Sequence, residues 1–123
     1  MFGVDDQVTA GAQPEARAGE LDVRAAAVWT PGREVIQSRV DIEPDSPPIR
    51  HTHPGEEIIY VLEGSLEYQI DGQPTKVYNA GEALTVPAGV IHAVRNVGTG
   101  TGTGAALATD VVQKGKPLLT LAQ

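Results

Sequence analysis

Three histidines and one glutamate are the residues of this chain whose types and spacing best suit metal binding. His51 and His53 stand two residues apart. In an extended strand, residues i and i+2 point to the same face about 6.5–7 Å apart, so both imidazoles can reach one ion. Glu57 follows a predicted turn at Pro54-Gly55 and is close enough to add a carboxylate oxygen, while His92 has to arrive from a distant strand. The four residues together predict one metal site.

Three neutral imidazoles and one carboxylate would give a divalent ion an N3O site. Such a donor set suits Fe, Mn, Ni, Cu, Co or Zn, whereas Ca and Mg prefer oxygen ligands. A six-coordinate ion would keep open positions for water, dioxygen or a substrate oxygen, which is typical of a reactive site. Glu57 is also a candidate acid/base group. Glu56 should face the opposite side of its strand and is interpreted as a solvated charge.

The composition narrows the classes of function. The sequence contains no cysteine, which excludes disulfides, thiolate catalysis and iron–sulfur clusters. A formal net charge of −7, with no basic stripe to offset it, argues against nucleic acid and anionic membrane surfaces as partners. No run approaches the roughly 20 apolar residues that span a bilayer, and the start lacks a signal-peptide pattern. We therefore expect a cytoplasmic protein that acts on a small-molecule substrate or ligand.

Short apolar runs separated by turn residues must position the four side chains. The 14 glycines and nine prolines lie mostly between such runs, as in chains built from many strands. Strands are predicted over residues 21–29, 35–42, 58–62, 65–70, 73–78, 83–86, 90–96 and 105–112. Pro74 indicates an edge position for one of them. Alternating apolar residues with turns roughly every 8–12 positions predict an all-β, antiparallel sandwich or barrel.

The chain is predicted to hold one domain. Residues 1–20 show no periodicity and are interpreted as a flexible N-terminal arm, whereas residues 21–123 form the β-barrel domain. Residues 98–104 alternate glycine and threonine and predict a flexible loop over one end of the barrel. Residues 114–123 are interpreted as a tail after the last strand.

The sequence resembles the cupin superfamily in two motifs. The first, G-x5-H-x-H-x3,4-E-x6-G, falls on His51, His53, Glu57 and Gly64, but its leading glycine is Asp45 here. The second, G-x5-P-x-G-x2-H-x3-N, falls in full on Gly81, Pro87, Gly89, His92 and Asn96. The motifs span residues 45 to 96, and the one departure touches a loop and no predicted ligand.

The resemblance implies a conical antiparallel β-barrel, also described as a double-stranded β-helix of jelly-roll type. It implies a single-domain cupin (monocupin) that forms a homodimer and holds one divalent metal ion inside the barrel. The implied ligands are His51, His53, Glu57 and His92. The glycines would serve turns, Pro87 would shape the approach of the His92 strand, and Asn96 would be structural.

The reaction is open to three interpretations. The chain looks like small quercetin-dioxygenase-like cupins, which implies oxygen-dependent chemistry, and apolar inward positions suggest a small, largely apolar or cyclic substrate. A metal Lewis acid without oxygen would instead support an isomerase, cyclase, decarboxylase or lyase. That chemistry needs a proton carrier, for which Tyr60, Tyr68 and Glu67 are candidates. The third interpretation is a non-catalytic module that binds a small ligand.

Overall fold

The computed structural model describes residues 23–26, 31–99 and 102–123. Within these ranges the chain forms ten β-strands and no helix. The strands are β1 (Val23–Ala26), β2 (Arg33–Ile42), β3 (His51–Thr52), β4 (Gly55–Glu63), β5 (Ser65–Ile70), β6 (Lys76–Asn79), β7 (Ala83–Val86), β8 (His92–Asn96), β9 (Gly104–Gln113) and β10 (Thr120–Leu121). The all-β prediction is confirmed.

Two antiparallel five-stranded sheets make up the fold. Their strand orders are β1-β2-β9-β4-β7 and β10-β3-β8-β5-β6. Apart from the pairs β1–β2 and β5–β6, consecutive strands therefore pass from one sheet to the other, as β3 to β4 and β4 to β5 do, which is the jelly-roll arrangement. β6 lies at a sheet edge, as Pro74 predicted, although this strand begins at Lys76, after the proline.

Period-two alternation explains why these segments are strands with one buried face. Along β4, Ile59 and Val61 are buried while Ile58 and Tyr60 are exposed. The same alternation buries Leu66, Tyr68 and Ile70 of β5, since successive side chains of a strand point to opposite faces. The inward residues of the two sheets form the core: Ile42, Ile59, Val61, Leu66, Tyr68, Ile70, Leu84, Val86 and Ala106.

Two glycines allow strands to approach more closely than a side chain would permit. A Cβ on Gly55 would overlap the carbonyl oxygen of Val111 on β9, and a Cβ on Gly104 would lie 2.6 Å from Leu66 Cδ2. Gly104 was predicted as the end of a loop, but it is the first residue of β9. Gly64, Gly81 and Gly89 have positive φ, which confirms that the three motif glycines serve turns.

The end of the chain differs from the prediction. Residues 114–123 were interpreted as a tail, but Thr120–Leu121 pairs with β3 as strand β10. A two-residue strand is too short to show a periodic pattern, and this explains why the sequence did not indicate it. The predicted arm at residues 1–20 lies outside the described residues, as do residues 100 and 101 of the glycine–threonine loop. No helix in the described ranges is long and apolar enough to cross a membrane.

Candidate metal centre

The three histidines come together between the sheets. His51 of β3 and His92 of β8 are directly paired residues on neighbouring strands, and His53 is the residue that directly follows β3. Their ring centroids are 4.2 Å apart for His51 and His92, 4.8 Å for His51 and His53, and 5.1 Å for His53 and His92. The predicted convergence of the two histidine segments is therefore observed.

Each imidazole is oriented by a hydrogen bond from its Nδ1 to a backbone carbonyl oxygen. The acceptors for His51, His53 and His92 are Ile49 (2.8 Å), Leu118 (2.7 Å) and Val90 (3.0 Å), respectively. A carbonyl oxygen only accepts, so Nδ1 carries the hydrogen and the lone pair of a neutral ring lies on Nε2. Such outer hydrogen bonds are the usual way in which proteins orient metal-binding histidines.

Burial keeps these imidazoles in the form that binds metal. Desolvation lowers the pKa of His53 to about 4, although its hydrogen bond to Leu118 acts in the opposite direction. Desolvation likewise lowers the pKa of His92. Both rings are therefore neutral near pH 7, as a metal ligand has to be. The Nε2 atoms of His53 and His92 are buried and have no hydrogen-bond partner among the described residues, so their lone pairs could coordinate a cation.

Glu57 is buried on the inner face of β4, while Glu56 beside it is exposed. Its Oε1 lies 3.0 Å from His92 Nε2 and its Oε2 lies 3.4 Å from His53 Nε2. Neither pair is aligned as a hydrogen bond, because both nitrogens are without a partner. Ligand atoms about 2.1 Å from one ion are about 3.0 Å apart at right angles and about 3.4 Å apart at the tetrahedral angle. The observed separations therefore fit a shared ion.

Asp110 is a second buried carboxylate that the motifs did not indicate. It lies on β9 directly opposite Glu57, and ligand atoms of Asp110, Glu57 and His53 lie within 4.8 Å of one another. The residue is 2% exposed, and its Oδ1 has no hydrogen-bond partner. The signal was present in the sequence, because Asp110 occupies an inward position between Ala108 and Val112 of an otherwise apolar strand face.

The two carboxyl groups share a poorly solvated environment. Burial raises the pKa of Glu57 to about 7 and that of Asp110 to about 9, and the charge of Glu57 adds to the effect on Asp110. Two adjacent buried carboxylates are costly to ionise together, so without a cation they hold one proton between them near neutral pH.

A cavity of about 100 Å³ adjoins the histidines and the two acids. Its remaining walls are formed by Ser38, Val40, Ile42, Ser46, Pro47, Ile59, Tyr68, Val94, Ala106, Ala108, Leu118 and Leu119. No arginine or lysine of the described residues lines it. Arg39, Arg50 and Arg95 instead form ion pairs with Glu63, Asp71 and Glu67 at 2.8–3.0 Å.

Only one of the three proposed proton carriers reaches this cavity. Tyr68 lines it, whereas Tyr60 is 47% exposed on the outside and Glu67 binds Arg95. Burial and the charge of Glu57 raise the pKa of Tyr68 above its usual range. Among these candidates, the Tyr68 hydroxyl is the one placed to meet a bound ligand.

Two residues of the second motif have structural roles. The Asn96 side-chain amide donates to the carbonyl oxygens of Ile42 (2.9 Å) and Gly102 (3.1 Å), and its oxygen accepts from the Gly98 amide (2.8 Å). The turn that starts at Pro87 is held by a 3.2 Å hydrogen bond from the Gly89 amide to the carbonyl oxygen of His53. This turn therefore links the segments that carry His53 and His92.

Comparison with known proteins agrees with this architecture. The family model described as "Cupin domain" matches residues 38–104, which is more than half of the chain. None of the curated proteins compared with the chain matches it significantly in sequence.

Solved structures with the same fold include both larger and similar-sized proteins. The DMSP lyase DddQ from Ruegeria pomeroyi is 22% identical with a TM-score of 0.56, and the match covers 76% of this chain and 44% of the lyase. A cupin-like protein from Thermotoga maritima is 18% identical with a TM-score of 0.57, covering 96% and 89%. A cupin superfamily protein from Desulfitobacterium hafniense is 15% identical with a TM-score of 0.53, covering 88% and 100%. At these identities the likeness shows the fold alone.

Proposed function

Because the chain belongs to the cupin family, we propose that it binds one divalent transition-metal ion through His51, His53, Glu57 and His92. The observation that carries the proposal is a shared orientation of the three imidazoles. In each ring the Nδ1–H group donates a hydrogen bond to a backbone carbonyl oxygen. With Nδ1 engaged in this way, the metal-binding lone pair of each ring lies on Nε2, and the Nε2 atoms of His53 and His92 lie within 3.4 Å of the Glu57 carboxylate. Two of these nitrogens are buried without a partner, which in a site without a ligand would leave desolvation uncompensated.

The donor set favours Fe, Mn, Ni, Cu, Co or Zn. Imidazole nitrogen binds all six well, and a single carboxylate oxygen is compatible with each of them. Which of them is bound in the cell depends on supply as well as on ligand type.

We further propose that the protein is an enzyme that acts on a small, largely apolar or cyclic organic substrate with dioxygen. The bound ion would supply redox or Lewis-acid chemistry at positions that the protein leaves open. Support comes from the cavity beside the histidines, whose walls are mostly aliphatic and contain no arginine or lysine among the described residues. Such walls exclude water and favour an uncharged ring over a multiply charged substrate.

The protein groups have distinct tasks in this proposal. The backbone carbonyls of Ile49, Leu118 and Val90 fix the imidazole orientations. Aliphatic residues such as Val40, Ile59 and Val94 hold the substrate in the cavity. Glu57 is both a ligand and an ionisable group on the cavity wall that could accept a proton from the substrate.

The test begins with metal content. Protein purified without chelator is measured by elemental mass spectrometry, beside a His92→Ala variant. Near-stoichiometric transition metal that is lost from the variant supports the site. Metal-loaded protein is then screened for oxygen consumption with flavonols and cyclic diketones as probes. Absence of metal after reconstitution would overturn the four-ligand proposal.

A second candidate function is a non-oxidative Lewis-acid enzyme of the isomerase, cyclase, decarboxylase or lyase class. The observation that favours it is Tyr68, a buried phenol on the cavity wall that could exchange a proton with a substrate. One of the structural neighbours is a lyase by its name. Turnover without oxygen that is lost in a Tyr68→Phe variant would favour this candidate. If a small ligand binds stoichiometrically but is not converted, either with or without oxygen, a non-catalytic binding module would be favoured.

We also propose that the chain forms a homodimer. The support is the outer face of the first sheet, where Ile58 is 49% and Tyr60 is 47% exposed on the same side of β4. Large exposed apolar side chains in one patch favour association. Sedimentation at micromolar concentration tests this, with an Ile58→Asp, Tyr60→Asp double variant expected to be monomeric. A wild-type monomer would contradict the proposal.

A further inference from the structure

We propose that Asp110 is a second carboxylate ligand of the bound ion, so that the protein provides an N3O2 site. This inference rests on the proposed metal site and adds a residue that neither motif contains. It concerns the inner face of β9, which reaches the site from the sheet opposite the histidines.

The geometry is the first argument. Asp110, Glu57 and His53 each offer one ligand atom, and these atoms lie within 4.8 Å of one another. Atoms on opposite sides of one ion, at bonds of about 2.1 Å, are about 4.2 Å apart. A small movement of the side chains would therefore bring all three ligand atoms within bonding distance of one ion. The paired register of Glu57 and Asp110 sets both side chains on the same face of their sheet, pointing between the sheets.

The unused oxygen is the second argument. Asp110 is 2% exposed, and its Oδ1 has no hydrogen-bond partner among the described residues. A buried carboxylate oxygen without a donor is costly. The Nε2 atoms of His53 and His92 are likewise buried and lack a hydrogen-bond partner among the described residues. A cation held by His53, Glu57 and Asp110, whose ligand atoms form one group, would satisfy the buried atoms of His53 and Asp110.

Charge balance is the third argument. Glu57 and Asp110 both line the cavity, and no arginine or lysine of the described residues does. A divalent ion with two carboxylates forms a neutral centre, whereas a single carboxylate would leave a net positive charge inside an apolar cavity. Buried charge is tolerated when it is paired. The second carboxylate thus completes the compensation of the ion.

This ligand set has consequences for selectivity. An added hard oxygen ligand favours Mn²⁺ relative to Cu²⁺, because carboxylates suit the former and imidazoles the latter. A neutral centre also attracts free anions more weakly than a cationic centre does. The wild-type protein should therefore bind azide at its metal poorly, and an uncharged side chain at position 110 should strengthen azide binding.

The experiment uses the full chain loaded with Co²⁺ or Mn²⁺. Wild type, Asp110→Asn and Asp110→Ala are compared with Asp71→Asn, an exposed aspartate on a hairpin turn that pairs with Arg50. Circular dichroism and thermal melting confirm that each variant is folded. Readouts are Mn²⁺ and Cu²⁺ affinity by calorimetry, the visible spectrum of the Co²⁺ form, and azide titration of that form.

We expect both Asp110 variants to lose at least about 10-fold more affinity for Mn²⁺ than for Cu²⁺, to change the Co²⁺ spectrum and to bind azide more tightly, with Asp71→Asn unchanged. Folded variants with an unaltered Co²⁺ spectrum and an unaltered Mn²⁺-to-Cu²⁺ ratio would overturn the inference and leave Asp110 as a residue that only positions Glu57. A wild-type protein that binds no metal would instead overturn the proposed site itself.

Discussion

Glu57 and Asp110 are directly opposite residues of β4 and β9, and both side chains are buried inside the fold. The histidines stand on the other sheet, where His51 is the paired residue of His92. The candidate site is therefore made of one cross-strand pair from each sheet, with His53 added from the turn after β3. This division places the acids and the imidazoles on facing walls, so that an ion between them would connect the two sheets.

Neighbouring glutamates on β4 provide a matched test of the ligand assignment. Glu57→Gln should lower the affinity for Co²⁺ or Mn²⁺ at least about 100-fold, because an amide oxygen carries no charge. Glu56→Gln changes the same chemistry on the exposed face and should leave affinity unchanged within about twofold. Calorimetric titration of both variants measures the difference. Equal affinities of the two variants would remove Glu57 from the site.

A double variant tests whether the ion is structural. His51→Ala with His53→Ala should abolish metal retention while the fold survives, because the main core lies in the apolar cluster around Val61 and Leu66. Loss of the His53 to Leu118 hydrogen bond should cost about 1–3 kcal/mol of unfolding free energy. Elemental mass spectrometry and circular dichroism provide the two readouts. An unfolded double variant would instead indicate an ion needed for folding.

The buried acids predict how the stability of the metal-free protein depends on pH. The folded-state pKa values of Glu57 and Asp110 are raised, to about 7 and about 9, so the folded state holds more protons than the unfolded state. Their stabilising effect is present at low pH and is lost as pH rises through these values. The lowered pKa of His53 acts in the opposite sense, but only below about pH 6.5.

Unfolding free energy of the metal-free protein should therefore fall by about 1–2 kcal/mol between about pH 7 and about pH 9. Asp110→Asn should flatten this dependence, and added metal should reverse it because the ion binds the ionised pair. Urea titrations at a series of pH values measure the effect. A wild-type protein that becomes more stable over this range without metal would contradict the assigned pKa directions.

Replacing Gly55 by alanine adds only one methyl group but should strongly lower the stability of the fold. Gly55→Ala should destabilise the fold by about 3 kcal/mol, because the added Cβ would overlap the Val111 carbonyl on β9. The same replacement at Gly102 meets nothing within 4 Å and should be neutral within about 0.5 kcal/mol. Urea midpoints of the two variants give the comparison. A neutral Gly55→Ala would show that β4 and β9 can separate at this end.

Residue spacing was sufficient to predict the histidine cluster and most strands. The i, i+2 relation of His51 and His53 and the alternation along β5 are local patterns that physical rules translate directly into structure. The turn role of the motif glycines could also be predicted from the sequence, because positive φ is a conformational property of single glycine residues.

Features that depend on long-range pairing were missed. Asp110 is part of the site only because β9 pairs with β4 in a register that sets it opposite Glu57, and no local pattern specifies that register. The same holds for β10, whose two residues gain their structure from contact with β3. The locations of Tyr60 and Tyr68 were also undecided, because alternation divides a strand into two faces without saying which one turns inward.

The attachment of β3 to β10 has a consequence for how the site is assembled during synthesis. Thr120 and Leu121 pair with Thr52 and His51, and the Leu118 carbonyl fixes the ring of His53. The ring of His53 and the backbone of β3 therefore remain without these contacts until residues 118–121 have emerged from the ribosome. The contact that orients His53 therefore joins residues 65 positions apart in the sequence, so a metal ion bound there would depend on a segment that is synthesised much later than the histidine itself.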